Sequence, residues 1–127
     1  ANWLLSRPEV AQVLHPALAQ SAGHELFKRD FAGSNGLFSF VLNCGNQAAL
    51  NAFLDGVEHF KIGYSWGGFE SLIIGMMPNS VQKLRTATTW PHQYPLIRLH
   101  VGLEDTDDLI ADLAQAFEKF NQALAGK

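Results

Sequence analysis

Residues 105–124 read DTDDLIADLAQAFEKFNQAL, and within them Leu109, Leu113, Ala116, Phe117, Phe120 and Leu124 recur at three and four residues. That spacing lines one face of a helix about five turns long with apolar side chains and leaves the opposite face polar. Asp105 or Thr106 can cap its start, and Asp107 and Asp108 lie near the positive end of its dipole. Such a helix is stabilised mainly by what its stripe lies against. The remainder of the chain therefore has to supply a second apolar layer.

The layer is legible upstream. LFSFVLN (37–43) sets Phe38, Phe40 and Leu42 against Leu37, Ser39 and Val41, a strand covered on both sides. EHFKIGYS (58–65) sets Phe60, Ile62 and Tyr64 opposite His59, Lys61 and Gly63, and PLIRLHV (95–101) is a third strand. EVAQVLHP (9–16) suggests a short extended stretch that stops at Pro16. SAGHELFKRDF (21–31) reads as a helix with Ser21 near its cap, followed by the turn residues GSNG (33–36). NQAALNAFLDG (46–56) is a short helix with Ala49, Leu50, Phe53 and Leu54 on one face and Gly56 as C-cap glycine. We expect an α+β fold, a small, largely antiparallel sheet with helices on one face. Neither a repeat nor a linker divides residues 1–127, and 47% apolar with 17% charged residues is ordinary globular composition. The chain opens ANWLLSRPEV, without Met and already on a helical pattern ended by Pro8. It reads as part of something longer, the alternative being a native N-terminal helix after Met removal.

Several function classes are disfavoured. A net charge of −3 with nine scattered Lys and Arg does not suit a nucleic-acid surface. No apolar stretch approaches the ~18 residues of a membrane span. A lone Cys44 rules out an internal disulfide framework, fits a reducing cytoplasmic compartment, and reads as structural. GHELFKRD lacks the second His of a zinc helix, and His15, His24, His59, His92 and His100 form no close ligand pair, so no metal site is expected. No Gly-x-Ser-x-Gly elbow occurs.

Two stretches remain. In GYSWGGFESL (63–72) a glycine pair, Gly67 and Gly68, follows a strand and precedes what reads as a short apolar helix. Such a pair can present backbone N–H groups to an anion, although a tight turn explains the glycines alone. Tyr64, Ser65 and Trp66 just before them suit a binding wall. In LIRLHV, residues 97, 99 and 101 point one way and 96, 98 and 100 the other. The first set is apolar and belongs against the helices. The second, Leu-Arg-His, cannot be a dry core. From spacing alone Arg98 is read as solvated on the outer face; the other reading is a cleft where its planar fork pairs with a carboxylate.

GYSWGGFESLI, followed some 20 residues later by PLIRLHVGLEDTDDLIADLAQAF, resembles the C-terminal part of the cysteine/methionine-metabolism family of pyridoxal-phosphate enzymes. RPEVAQVLHPAL, GHELFKRDFAGSNGLFSFVL and FLDGVEHFKIGYSWGGFESL are similar to that family's cystathionine β-lyase branch, with Trp66 its sharpest mark; the similarity runs from about Trp3 to Leu124. His100 departs from the pattern, since many relatives have Ser there, and is not expected to disturb Arg98. The resemblance implies that Arg98 holds the substrate α-carboxylate and that Ser65 lies beside the catalytic lysine. It also implies that Trp66 lines the substrate pocket and Tyr64 shapes its distal side. By the same resemblance, residues 1–127 are a C-terminal substrate-carboxylate-binding domain. The larger cofactor domain and its lysine lie outside this chain, and Lys28, Lys61, Lys83, Lys119 and Lys127 stand in no matching motif. The implied cofactor is pyridoxal 5′-phosphate and the implied substrate is L-cystathionine. The implied reaction is β-elimination to homocysteine, pyruvate and ammonia, and the implied full-length assembly is a homotetramer. A γ-lyase or γ-synthase of the same family, or a non-catalytic module of the same fold, are the alternatives.

Overall fold

Short helices and strands are interspersed along the computed structural model, which describes residues 1–126. In chain order the elements are α1 (Asn2–Leu5), β1 (Val10–Leu14), α2 (His24–Asp30), β2 (Leu37–Leu42), α3 (Gln47–Leu54), β3 (Lys61–Ile62), β4 (Leu72–Met76), α4 (Pro78–Lys83), β5 (Leu96–His100) and α5 (Thr106–Leu124). The five strands form one sheet in the order β1-β2-β5-β4-β3. β1 with β2, β2 with β5, and β5 with β4 are antiparallel; only the two-residue edge strand β3 runs parallel to its neighbour β4. The fold is α+β and the sheet largely antiparallel, as expected.

The amphipathic stretch of residues 105–124 is helical as its period requires, and Asp105 rather than Thr106 caps it, accepting from the Asp107 N–H at 2.8 Å. Its stripe packs with α3 on one face of the sheet. Phe40 from β2, Phe53 from α3 and Phe117 and Phe120 from α5 are fully buried there. Phe53 and Phe117 have ring centroids 4.9 Å apart, and Phe120 meets Phe53 edge-on at 6.4 Å. Ile97 and Leu99 of β5 bury against the same cluster, and Val101 packs on it, as the alternation requires. On the opposite face Val81 of α4 packs with Val41 and Leu96, edged by Leu14, Met76 and Trp90. Helices thus cover one face fully, and short α4 adds partial cover to the other.

Several local expectations are corrected. The apolar run after the glycine pair is strand β4 and not a helix: it pairs residue for residue with β5. Gly75, its fourth residue, lies where an added Cβ would come within 2.7 Å of Leu50 Cδ1. The alternating stretch 58–65 contributes only Lys61 and Ile62 as strand, and of its apolar set only Phe60 is buried, Ile62 being 64% and Tyr64 78% exposed. The backbone N–H groups of Glu58, His59 and Phe60 bond to the buried Asp112 carboxylate of α5 instead of to a strand, at 2.6, 2.9 and 3.0 Å. Ser21 does not cap α2: its Oγ donates to His15 O at 2.5 Å, and Gly23 occupies the cap. Gly56 is not a left-handed cap either. A Cβ there would sit 3.0 Å from Ala116 Cα, so glycine lets α3 and α5 approach.

Candidate functional site

β5 is the third of the five strands, paired on both edges, so its side chains start from the most constrained backbone in the sheet. Arg98 projects from it beside Ser39 of β2 and Ile74 of β4, on the face away from α3 and α5. The guanidinium is not fully solvated, and it is ion-paired to none of the described residues. Its Nη2 donates to the Tyr64 carbonyl at 2.6 Å, and its Nε is buried with no partner among the described residues. Each carboxylate found in an ion pair there belongs to another cation, Glu9 to Arg7, Glu25 to Lys28 and Asp30 to Arg29. A half-buried cation with unused donors has the chemistry to take an anionic group.

Residues 63–71 cross above Arg98 as an irregular loop linking β3 to β4. Three successive same-face positions running along β5 and its extension hold this loop. Arg98 takes the Tyr64 carbonyl. His100, only 7% exposed, meets Gly67 N at 3.2 Å and Gly68 O at 3.0 Å. Gly102 N–H donates at 2.8 Å to the fully buried Ser71 hydroxyl, which itself donates at 2.7 Å to Glu104; Glu104 also accepts from Ser71 N–H at 2.8 Å. Burial works against the Glu104 charge, but the bonds from Ser71 outweigh it and hold the carboxyl below its ordinary range.

The four residues singled out for the site fall as follows. Tyr64 brings its carbonyl to Arg98, while the residue borders a 470 Å³ cleft shared with Gln47, Leu50, Met76 and Lys83. Trp66 is 62% exposed and borders a separate 170 Å³ pocket with Asn35, Gly36, Leu37, Gly67 and His100. Ser65, between them, is exposed and bonds to no described residue. Tyr64 and Trp66 therefore edge two different depressions on either side of Ser65. A further cleft between α2 and residues 33–37, 410 Å³, includes none of these four.

The glycine pair is also more specific than an anion nest. Gly67 adopts φ +84°, which favours glycine, and its N–H is directed to His100. Sequence reasoning gave no role to His100, or to the Ser71–Gly102–Glu104 clasp. The signal for both was present, since residues 98, 100 and 102 share one face of an extended strand.

Among the lysines, Lys28 pairs with Glu25 at 2.9 Å and Lys61 Nζ donates to Glu58 O at 2.6 Å. Lys83 lies on α4, Lys119 on α5, and Lys127 is outside the described residues. Burial, with the Glu9 charge added, pushes the Cys44 thiol up, opposite to what a nucleophile needs. Among the described residues no group of three His, Cys, Asp or Glu could hold a metal ion, and no helix is long and apolar enough to cross a membrane.

An α+β domain carrying an available arginine beneath an aromatic-glycine loop is what the SWGG and LIRLHVGLED motifs imply. The chain belongs to the family of pyridoxal-phosphate-dependent enzymes of cysteine and methionine metabolism, whose model (Cys/Met metabolism PLP-dependent enzyme) matches residues 1–118. Within it, the chain is 52% identical over 120 residues to the cystathionine beta-lyase of Salmonella typhimurium and 51% identical to that of Escherichia coli, in each case over 94% of this chain and 30% of the relative. It also superposes on the crystal structure of cystathionine gamma synthase from Xanthomonas oryzae pv. oryzae in complex with cystathionine. There the TM-score is 0.79 at 35% identity, over 95% of this chain and 32% of that one. The chain thus spans about a third of the length of the relatives it matches.

Proposed function

We propose that this chain is the substrate-carboxylate-binding portion of a cystathionine β-lyase. That enzyme converts L-cystathionine and water to homocysteine, pyruvate and ammonia. The observation that carries the reading is Arg98, half-buried on the central strand, one Nη2 bond spent on Tyr64 and no described carboxylate paired with it. A free α-carboxylate presents two coplanar oxygens, the match for a guanidinium edge. Identity near 50% to β-lyases, against 35% to the γ-synthase structure, favours β-elimination over the γ-reactions.

Pyridoxal phosphate, when bound, supplies the electron sink for the reaction. Holding it takes a lysine amine and a set of phosphate donors, and the described residues do not fit that task. Lys28 and Lys61 are engaged elsewhere, and Lys83, at the rim of the Tyr64 cleft, and Lys119, on α5, stand in no cofactor-lysine motif. We assign the cofactor and its lysine to the part of the enzyme outside this chain, so that the chain alone is inactive and its residues carry no proton transfer. Their task is to bind and orient. Arg98 fixes the carboxylate and with it the direction of the substrate Cα–H bond, a contribution of proximity and not of proton transfer. Ser65 at the loop crest faces the lysine, Trp66 lines the pocket, and Tyr64 bounds its distal side. The full-length enzyme is a homotetramer on this reading.

Product analysis tests it. The full-length enzyme given L-cystathionine should yield pyruvate and homocysteine. Production of 2-oxobutyrate and cysteine would assign a γ-lyase, and cystathionine formation from cysteine and an activated homoserine ester would assign a γ-synthase. A full-length protein that binds no pyridoxal phosphate and cleaves nothing would leave only a non-catalytic module.

A further inference from the structure

We propose that His100 is a positioning residue for this site: its imidazole grips the Gly67–Gly68 backbone and so fixes the height of the Tyr64–Phe69 loop above Arg98.

The geometry is two-sided. Nε2 lies 3.0 Å from Gly68 O, and the Gly67 N–H points at the ring, 3.3 Å from Nδ1 and 3.2 Å from Nε2. With the proton on Nε2, that nitrogen donates to Gly68 O, while the Gly67 N–H, nearly equidistant from the two ring nitrogens, is directed at the π face of the ring. Both polar groups of the turn are then satisfied by one side chain. His100 cannot easily drift, being buried between Leu37 of β2 and Leu72 of β4, its partners in register on either side. Main-chain atoms are what it holds, so the grip is independent of the side chains the loop carries.

Other tethers act only at the ends of the loop. At its start, Gly63 N–H bonds to Ile73 O and Tyr64 O accepts from Arg98. At its finish, Leu103 N–H bonds to Phe69 O and Ser71 is clasped by Gly102 and Glu104. Residues 65–68 have His100 as their sole hydrogen-bond partner among the described residues. Yet this is the stretch carrying Ser65, the exposed Trp66 ring and the left-handed Gly67. Because residues 98 and 100 stand only ~7 Å apart on one strand face, the carboxylate donor and the loop are referenced to the same rigid element. A loop shift of 1 Å relative to Arg98 is the scale of misplacement that costs substantial rate.

A glutamine/methionine pair separates hydrogen bonding from volume, because the two side chains have similar length and only Gln can donate and accept. The proteins are the full-length holoenzyme and its His100→Gln and His100→Met variants. The first readout is amide hydrogen exchange of a peptide spanning residues 63–71, measured without substrate. In His100→Met this peptide should exchange at least about tenfold faster while β2 and α5 peptides stay at the wild-type rate, and kcat/KM for L-cystathionine should fall about tenfold. His100→Gln should keep both quantities within about threefold of wild type. Equal loop exchange in the two variants would overturn the proposal, since volume alone would then hold the loop. So would a His100→Met enzyme whose β2 and α5 peptides exchange as fast as the loop, because His100 would then be a core residue. The kinetic arm rests on the carboxylate reading of Arg98, whereas the exchange arm does not. An Arg98→Ala enzyme with full activity would sink that reading and leave the loop result standing.

Discussion

The proposed function turns on Arg98, because its strand neighbours explain its burial but nothing in the described chain explains its unused donors. Replacing it by Ala in the full-length enzyme removes charge-assisted hydrogen bonds worth about 1.5–3 kcal/mol. That is at least about tenfold in kcat/KM for amino-acid substrates. The absorbance of the bound cofactor should stay unchanged, because Arg98 is assigned to substrate. Arg98→Lys should also lose most of that activity, a point charge being unable to reproduce the fork and to hold Tyr64 O as well. Steady-state kinetics with a cofactor spectrum on each variant checks this; wild-type kcat/KM in Arg98→Ala removes the carboxylate assignment. Periodicity alone put Arg98 on the mixed face and stopped there. A hydrogen bond to a residue 34 positions away belongs to the loop path, which no local pattern in 94–101 encodes.

Among elements, α5 does more than cover the sheet. Asp112, in its second turn and 2% exposed, gathers the N–H groups of Glu58, His59 and Phe60 and the Gln115 side-chain amide. Burial pushes its pKa up, but those hydrogen bonds prevail and the pKa ends below the ordinary carboxyl value of 3.8. A folded-state value lower than the unfolded one adds stability above the ordinary value, and that stability is lost as pH falls through the folded one. Asp112→Asn should therefore cost about 1.5–3 kcal/mol near pH 7. The gap should narrow on acidification below pH 3.8. Urea unfolding of both proteins across that range measures it; a pH-independent gap would mean that shape, not charge, holds residues 58–60.

The same interaction explains why EHFKIGYS misled. Its alternation is real, but three of its N–H groups are committed to a helix side chain, leaving only two residues to join the sheet. The apolar run after the glycine pair (71–76) misled for the opposite reason: such a run fits a buried strand and a short helix alike, and pairing to β5 decides it. Gly102 belongs to this scale too, since an added Cβ would lie 2.2 Å from Phe69 O. Gly102→Ala should destabilise by about 1–3 kcal/mol, because backbone on both sides has to move. The Ser71–Glu104 clasp should loosen with it, which faster exchange at residues 69–71 would register; unchanged exchange would place the strain elsewhere.

For the molecule as a whole, the sheet separates the packed core from the candidate site. Phe40, Phe53, Phe117, Phe120, Ile97 and Leu99 fill one side, and Arg98, His100 and the 63–71 loop occupy the other. The core side was readable because apolar periods of 2 and 3.6 specify faces directly, and a buried face needs no further information. The site side was readable only through motif resemblance, since its parts meet across more than thirty residues of chain. This division predicts that core damage and site damage are kinetically distinct. Phe117→Ala removes a fully buried ring between α3, β2 and α1 and should cost about 3–5 kcal/mol. The enzyme that remains folded should nonetheless keep its KM for cystathionine within about twofold, because the cavity opens on the far side of β5 from Arg98. Thermal melts paired with kinetics below the melting point test this. A large KM change in Phe117→Ala would mean that the central strand transmits core packing to the arginine, and that the two faces act as one.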